Sequence, residues 1–182
     1  MRELVVTENI TVDGVIDAGG DWFSPASSAD TEDLNAALRE HMAGADAVLL
    51  GRETFEAFRE YWPKQTGDTT GVSEYLNRVH KYVLSGTLTE PGWDGSTIVR
   101  SLDEVARIKE QPGGTIVATG SVRMVQELAR SGLVDEYRLF VYPVVRGEGR
   151  RLFDNPHKDQ QLATVEVRHF VSGIILVRYR TV

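Results

Sequence analysis

Ala45-Asp46-Ala47-Val48-Leu49-Leu50-Gly51-Arg52-Glu53-Thr54-Phe55 passes from a short apolar run into a charged segment across a single glycine. An apolar run of this length suits a strand buried on both faces, and Gly51 permits a tight turn out of it. The spacing then predicts a helix over Thr54 to about Tyr61, which Pro63 discourages from continuing. A strand that leads directly into a helix is half of a strand–helix–strand unit, and such units build parallel sheets.

The same alternation extends outward in both directions. Upstream, Leu4 to Val12 is β-branched and apolar, and Asp13-Gly14 supplies a turn. Asp30 is placed as the N-cap of a helix to about Ala43, with Leu34, Leu38 and Met42 four apart on one face. Pro63 to Ser73, rich in Gly and Thr, reads as a surface loop. Downstream, Tyr82-Val83-Leu84 and Thr97-Ile98-Val99 are strands, and Ser101 with Glu104 forms a capping box for a helix to Glu110. Thr115 to Ala118 is a further strand, and Ser121 to Arg130 is a helix closed by Gly132. Asp135 to Val145 is a long strand. The chain then changes character: Leu162 to Phe170 and Ile174 to Thr181 are strands joined at Ser172-Gly173, an antiparallel hairpin. The pattern predicts one α/β domain over residues 1–182, three layers deep (α/β/α). Its sheet is expected to be mixed and mostly parallel, with roughly eight strands and a C-terminal antiparallel hairpin.

The 182 residues are 41% hydrophobic, enough for one sizeable core. A net charge of −7 argues against a general affinity for nucleic acid or acidic membranes, yet leaves room for a local basic pocket. With no cysteine, disulfides, thiol nucleophiles and cysteine-ligated metals are excluded. The opening MRELVVTENI lacks a signal-type apolar run, and no segment approaches the ~18–20 apolar residues of a membrane span. A cytoplasmic protein without nucleic-acid or membrane partners is expected. His41, His80, His157 and His169 are scattered, so no metal site is expected.

Ligands of open α/β sheets bind beyond the carboxyl ends of the strands, where helix-start amides can hold phosphate. Three junctions carry suitable residues. At Gly51-Arg52-Glu53-Thr54, arginine offers a permanent cation and threonine a hydroxyl; an ordinary turn with a surface arginine is the plainer alternative. At Leu84-Ser85-Gly86-Thr87, two hydroxyls flank a glycine, which is also common turn composition. At Thr119-Gly120-Ser121-Val122, small residues would let a pyrophosphate approach a helix dipole, or would simply make a tight turn.

Together these segments resemble the dihydrofolate-reductase-like superfamily, and most closely the reductase domain of bifunctional riboflavin-biosynthesis proteins (the RibD C-terminal type). The resemblance covers essentially the whole chain. It is carried by Gly132-Leu133-Val134-Asp135-Glu136-Tyr137-Arg138-Leu139, by Pro143, by Gly147-Glu148-Gly149-Arg150-Arg151-Leu152-Phe153, by Thr11-Val12-Asp13-Gly14-Val15-Ile16 and by Gly51 to Glu56. It implies an NADPH-dependent reductase. Gly51, Arg52, Thr54, Leu84, Ser85 and Thr87 would hold the adenosine side and 2′-phosphate. Thr119, Gly120, Ser121 and Val122 would lie along the pyrophosphate, and Asn9 and Ile16 would flank the nicotinamide. The family often has Gly-Gly where this chain has Thr119-Gly120, which implies a less close backbone approach. Asp13, Trp22, Tyr142 and Pro143 map near the substrate pocket; a turn, core packing or an edge strand would also explain them.

The implied reaction is hydride transfer to a carbonyl- or imine-containing heterocycle, the named activity being reduction of 5-amino-6-ribosylaminouracil 5′-phosphate. Alternatives are a non-catalytic NADPH-binding module and a dihydrofolate reductase. Against the last, Ser27 and Ser28 stand where folate enzymes carry a pterin-binding carboxylate. A homodimer is implied by the family, with the apolar run Ile174 to Val177 as interface material. Arg146 to Arg151 reads as a solvated basic loop or a substrate-phosphate contact.

Overall fold

Side-chain alternation along β2 (Ala45–Gly51) sets the layers, because every residue of this strand except Asp46 is buried. Ala47 and Leu49 pack in one core with residues of α4 (Leu102–Glu110) and α5 (Val122–Ser131). Val48 and Leu50 pack in another with α2 (Arg52–Tyr61) and α3 (Val72–Arg78). A third cluster joins α1 (Glu32–Ala43), through Leu34 and Ala37, to Phe140, Tyr142 and Leu176. The sheet therefore carries helices on both faces. The computed structural model describes residues 1–20, 22–23, 31–154 and 160–182.

The other strands are β1 (Leu4–Thr11), β3 (His80–Leu84), β4 (Ser96–Val99), β5 (Thr115–Ala118), β6 (Glu136–Tyr142), β7 (Leu162–His169) and β8 (Ile175–Thr181). Their order is β4-β3-β2-β5-β1-β6-β8-β7. The pairings from β4 across to β6 are parallel, and β8 then runs antiparallel to both β6 and β7. This is the mixed, mostly parallel α/β sheet with a terminal hairpin that the sequence predicts. No helix among the described residues is long and apolar enough to cross a membrane.

Apart from one- and two-residue shifts elsewhere, four boundaries differ from the sequence reading. Asp30 lies outside the described residues, and Thr31 is the N-cap of α1. The helix after β2 begins at Arg52 rather than Thr54, for a tertiary reason given below. The segment read as a surface loop holds a 3-10 turn (Trp62–Lys64) and leads into α3, a helix too short to show a period. Asp68 organises that entry: its carboxylate accepts from the Thr70 and Ser73 amides at 2.9 and 2.8 Å. Strand β6 stops at Tyr142 instead of Val145, since Pro143 has no N–H to give the ladder.

The antiparallel end is held differently on its two faces. Toward α1, the Glu136 carboxylate is almost completely buried and accepts from Arg138 Nε at 2.7 Å and Arg178 Nε at 2.8 Å. Arg178 continues to Glu166 at 2.9 Å, and Arg168 joins Glu166 to Glu40 of α1. Removing one member of a buried ion network strands the others and costs about 3–5 kcal/mol. Glu136→Ala is expected to lower unfolding stability by that amount in urea titrations, and a loss below about 1 kcal/mol would show the ladder to be solvated.

Candidate active site

The parallel strands bring their carboxyl ends to one edge of the sheet, and a cleft of about 430 Å³ opens there. The starts of α2, α4 and α5 all line it, together with Leu84, Ser85 and Gly86 after β3. Helix starts carry unpaired amides and a partial positive charge, so their convergence favours an anion.

The three starts are not equivalent. In α4 the Ser101 hydroxyl accepts the Glu104 N–H at 3.3 Å, and the Glu104 carboxylate accepts the Arg100 N–H at 3.0 Å. That helix is capped, and Asp103 and Glu104 already offset its charge. Helix α2 has Glu53 in its first turn. Helix α5 has neither device: Ser121 makes no capping bond, and the first turn contains no acid. It carries Arg123 instead, and residues 122–124 face the cleft. The donors left for a ligand are concentrated at α5.

The Ser121 hydroxyl does not cap its own helix because it is used elsewhere. It accepts the Gly51 N–H at 2.9 Å and donates to Thr54 Oγ1 at 2.7 Å. The starts of α2 and α5 are thereby tied side by side, which fixes the first residue of α2. The contact is close enough that a Cβ on Gly51 would lie 2.5 Å from Ser121 Oγ. One on Gly120 would lie 2.7 Å from Thr54 Cγ2. Gly120 and Ser121 both take left-handed backbone, with φ of 61° and 55°. That conformation is costly for any residue but glycine.

Among the described residues, four arginines edge the cleft: Arg52, Arg100, Arg123 and Arg150, against Glu53 and Glu127. Arg100 is anchored by donating to the Ser85 carbonyl at 2.7 Å. Arg150 is held by Asp17 through two bonds of 2.9 and 3.1 Å. Arg52 lies 3.7 Å from Glu56, one helical turn on.

Of the residues singled out in sequence, Gly51, Arg52, Leu84, Ser85, Ser121 and Val122 line this cleft. Thr54 and Gly120 stand behind it in the contact just described, and Thr119 is half-buried beside them. Ser85 Oγ accepts the amides of Thr87 and Leu88 at 3.2 and 3.0 Å, so it shapes its own turn, and Thr87 is exposed. The remaining candidates gather around the end of β1. Asn9 is exposed in a central strand, while Ile16 is buried. Trp22 meets Tyr142 edge-to-face at 5.4 Å and donates to the Asp17 carbonyl at 3.0 Å. Pro143 is exposed.

Asp13 is already engaged. It accepts from the Thr11 hydroxyl at 2.7 Å and from the amides of Arg146 and Gly147 at 3.1 and 2.8 Å. The Thr11 hydrogen bond, with those amides, holds its pKa down to about 2. The basic segment 146–151 is thus tied to the turn after β1, through Asp13 and through Arg150–Asp17, rather than being a free solvated loop.

Sequence reading took Ser101 only as a helix cap and passed over Arg100, Arg123 and one acid. Glu8 lies on β1 between Val6 and Ile10, on the face that joins the α5 core. Only 6% of it is exposed, and its Oε1 has no hydrogen-bond partner among the described residues. Burial raises its pKa to about 8, opposed by the Gly120 amide alone. A carboxylate at an inward position of an otherwise apolar alternation was a visible signal.

A family model, the RibD C-terminal domain, matches residues 2–176. The chain belongs to the RibD C-terminal domain family. Two uncharacterized Bacillus subtilis (strain 168) proteins are similar to it. YyaP is 31% identical over 98% of this chain and 94% of its own, and YwjB is 23% identical over 96% of each. Among solved structures, the fold is similar to a "Putative riboflavin biosynthesis protein" of Shewanella sp. PV-4, with TM-score 0.75, 18% identity and 99% of both chains covered. It is also similar to a pyrimidine reductase-like protein of Corynebacterium diphtheriae, with TM-score 0.66, 15% identity, and 99% of this chain and 92% of that one covered. The RibD C-terminal domain and these neighbours make the fold that of the dihydrofolate-reductase-like superfamily.

Because folding lifts the Glu8 pKa from 4.5 to about 8, the folded state binds a proton that the unfolded chain releases. The stability from this group is complete below pH 4.5 and is lost as the pH climbs through 8. Urea titrations across that window should show stability falling in the wild type and falling less in Glu8→Gln. Parallel curves for the two proteins would mean that Glu8 is ionised throughout.

Proposed function

We propose that this RibD C-terminal domain protein is a single-domain reductase (residues 1–182) that uses NADPH to reduce a small carbonyl- or imine-containing heterocycle of the ribosylaminopyrimidine class. The observation that carries the reading is the uncapped, acid-free start of α5, set among Arg52, Arg100, Arg123 and Arg150 at the carboxyl edge of the sheet. That donor set fits a dinucleotide with its pyrophosphate and a 2′-phosphate. Residues 119–122 take the pyrophosphate. Arg52, Leu84, Ser85 and Thr87 take the adenosine side, with Thr54 holding the turn behind them and Arg100 joining from its anchor on Ser85. Asn9 and Ile16 flank the nicotinamide, and Asp13, Trp22, Tyr142 and Pro143 border the substrate.

NADPH, when bound, supplies the hydride. The chain's own contribution is orientation: helix amides and guanidinium groups fix the phosphates, and thereby the reach of the ring beyond the end of β1. Trp22 and Tyr142 give that region an apolar wall that excludes water. The engaged carboxylate of Asp13 holds segment 146–151 in place and has no donor role of its own.

A second reading, a non-catalytic NADPH-binding module, is favoured by one feature. The substrate-side groups Asp13, Trp22 and Tyr142 are all committed to internal contacts. NADPH oxidation against a panel of ribosylaminopyrimidines, pterins and dihydrofolate separates the two. Turnover of a ribosylaminopyrimidine is expected, and tight NADPH binding with no turnover of any acceptor would establish the module.

We also propose that the protein is a homodimer. The run Ile174 to Val177 divides between the two faces of the sheet. Ile174 and Leu176 fill the subunit's own core, while Ile175 is exposed near Val167, which is 63% exposed on the edge strand β7. Light scattering at micromolar concentration should give twice the 20.2 kDa chain mass.

Arg52→Ala should weaken NADPH about 10- to 100-fold, the ~1.5–3 kcal/mol of a charge-assisted bond to phosphate, and leave NADH nearly unchanged. Calorimetric titration of both nucleotides decides it. Equal losses would move the 2′-phosphate to Arg100 or Arg123.

A further inference from the structure

We propose that Asp17 is a positioning residue of the anion cleft: its carboxylate clamps the Arg150 guanidinium so that the unused side of that fork is presented to a ligand phosphate. The proposal rests on the reading that a nucleotide phosphate binds in this cleft.

Arg150 stands apart from the other cleft arginines. Arg52 and Arg123 belong to helices and Arg100 directly precedes the cap of one, whereas Arg150 comes from the irregular stretch 143–150 that follows β6. Its side chain is 52% exposed, so holding one rotamer carries a high entropy cost. Two sets of contacts remove that freedom. The backbone is laced to the turn after β1: Val15 pairs with Arg151, the Ile16 N–H donates to the Arg150 carbonyl at 3.0 Å, and the Leu152 N–H donates to the Gly14 carbonyl at 3.1 Å. The side chain is then gripped by Asp17, with Nε donating to Oδ2 at 2.9 Å and Nη2 to Oδ1 at 3.1 Å. Fork-to-fork pairing of this kind fixes the plane of a guanidinium as well as its place.

Asp17 is fixed in turn. Its carbonyl accepts the Trp22 indole N–H at 3.0 Å, and Trp22 is seated against Tyr142. Gly149 lets the two segments close, because a Cβ there would lie 2.8 Å from Val15 Cγ1. Its φ of 111° also favours glycine. With Nε and one N–H of Nη2 taken, the remaining N–H groups of Arg150 have no protein acceptor among the described residues, and the residue lines the cleft. Glu53 lines the same cleft, so an Arg150 released from Asp17 has a competing carboxylate there.

Charge alone predicts the opposite role. Asp17 is an anion beside an anion site, and its removal would tighten phosphate binding if only Coulomb energy mattered. A clamp predicts weaker binding, because the ligand must then order the arginine itself. The sign of the effect separates the two.

The test is NADPH affinity by fluorescence titration at neutral pH for the wild type, Asp17→Ala, Arg150→Ala and the double variant. Arg150→Ala is expected to raise Kd about 10-fold or more. Asp17→Ala should raise it about 3- to 10-fold. The double variant should bind no more weakly than Arg150→Ala, since Asp17 acts through Arg150. Unchanged or tighter binding by Asp17→Ala, or losses that add in the double variant, overturn the proposal while leaving the reductase reading intact. Absence of NADPH binding by the wild type overturns both. Arg150→Lys tests the clamp without touching Asp17: it keeps the charge, cannot form the fork, and should bind nearly as weakly as Arg150→Ala. Full affinity in Arg150→Lys overturns the proposal.

Discussion

The hydroxyl of Ser121 accepts from Gly51 and donates to Thr54, and the rest of the cleft depends on that small bridge. It joins two helix starts that follow different strands, β2 and β5, which are neighbours in the sheet. Glycine at positions 51 and 120 brings the two backbones within reach, since a Cβ at either would overlap the bridge. Once serine is used in this way, α5 is left uncapped and its amides are open to a ligand. One side chain thus determines both where α2 begins and what the start of α5 can bind.

The sheet divides its work along its length. From β4 to β6 the strands are parallel, and the loops at their carboxyl ends supply the arginines and amides of the cleft. From β6 to β7 they are antiparallel, and that end is held by the Glu136–Arg178–Glu166 ladder on one face and apolar side chains on the other. The two parts meet at β6, beside β1. There, the turn after β1 holds the 146–151 segment through Asp13 and Asp17, and so brings Arg150 to the cleft from far along the chain.

The layers, the mixed sheet and the terminal hairpin were legible because local signals suffice for them. Apolar runs of strand length, Ser101 with Glu104, and the turn at Ser172-Gly173 each act over a few residues. The start of α2 was not legible, because its determinant is a serine 70 residues away. Helix α3 was hidden by its brevity and by an Asp68 turn that resembles any polar loop. The site was half legible. Glycine- and hydroxyl-rich turns marked the ends of β2, β3 and β5, but the positive charge that joins them comes partly from Arg100, Arg123 and Arg150. Arg100 directly follows a strand and precedes a helix, so its position alone could have marked it. Arg150 lay in the basic run 146–151, read as a solvated loop or a substrate-phosphate contact, whereas Arg123 needed the fold, since nothing local distinguishes it from a surface arginine.

The contrast between α4 and α5 has a thermodynamic consequence. A helix that lacks its N-cap forgoes about 0.5–2 kcal/mol relative to a capped one. At α4 the sequence supplies that interaction itself, through Ser101 and Glu104. At α5 it does not, so an anion bound there would act as the missing cap, and its binding energy would include the completion of a secondary-structure element. A ligand bound there would belong to the folded state as much as a side chain does. Thermal unfolding and ligand concentration become linked variables, because whatever fills that position finishes the helix.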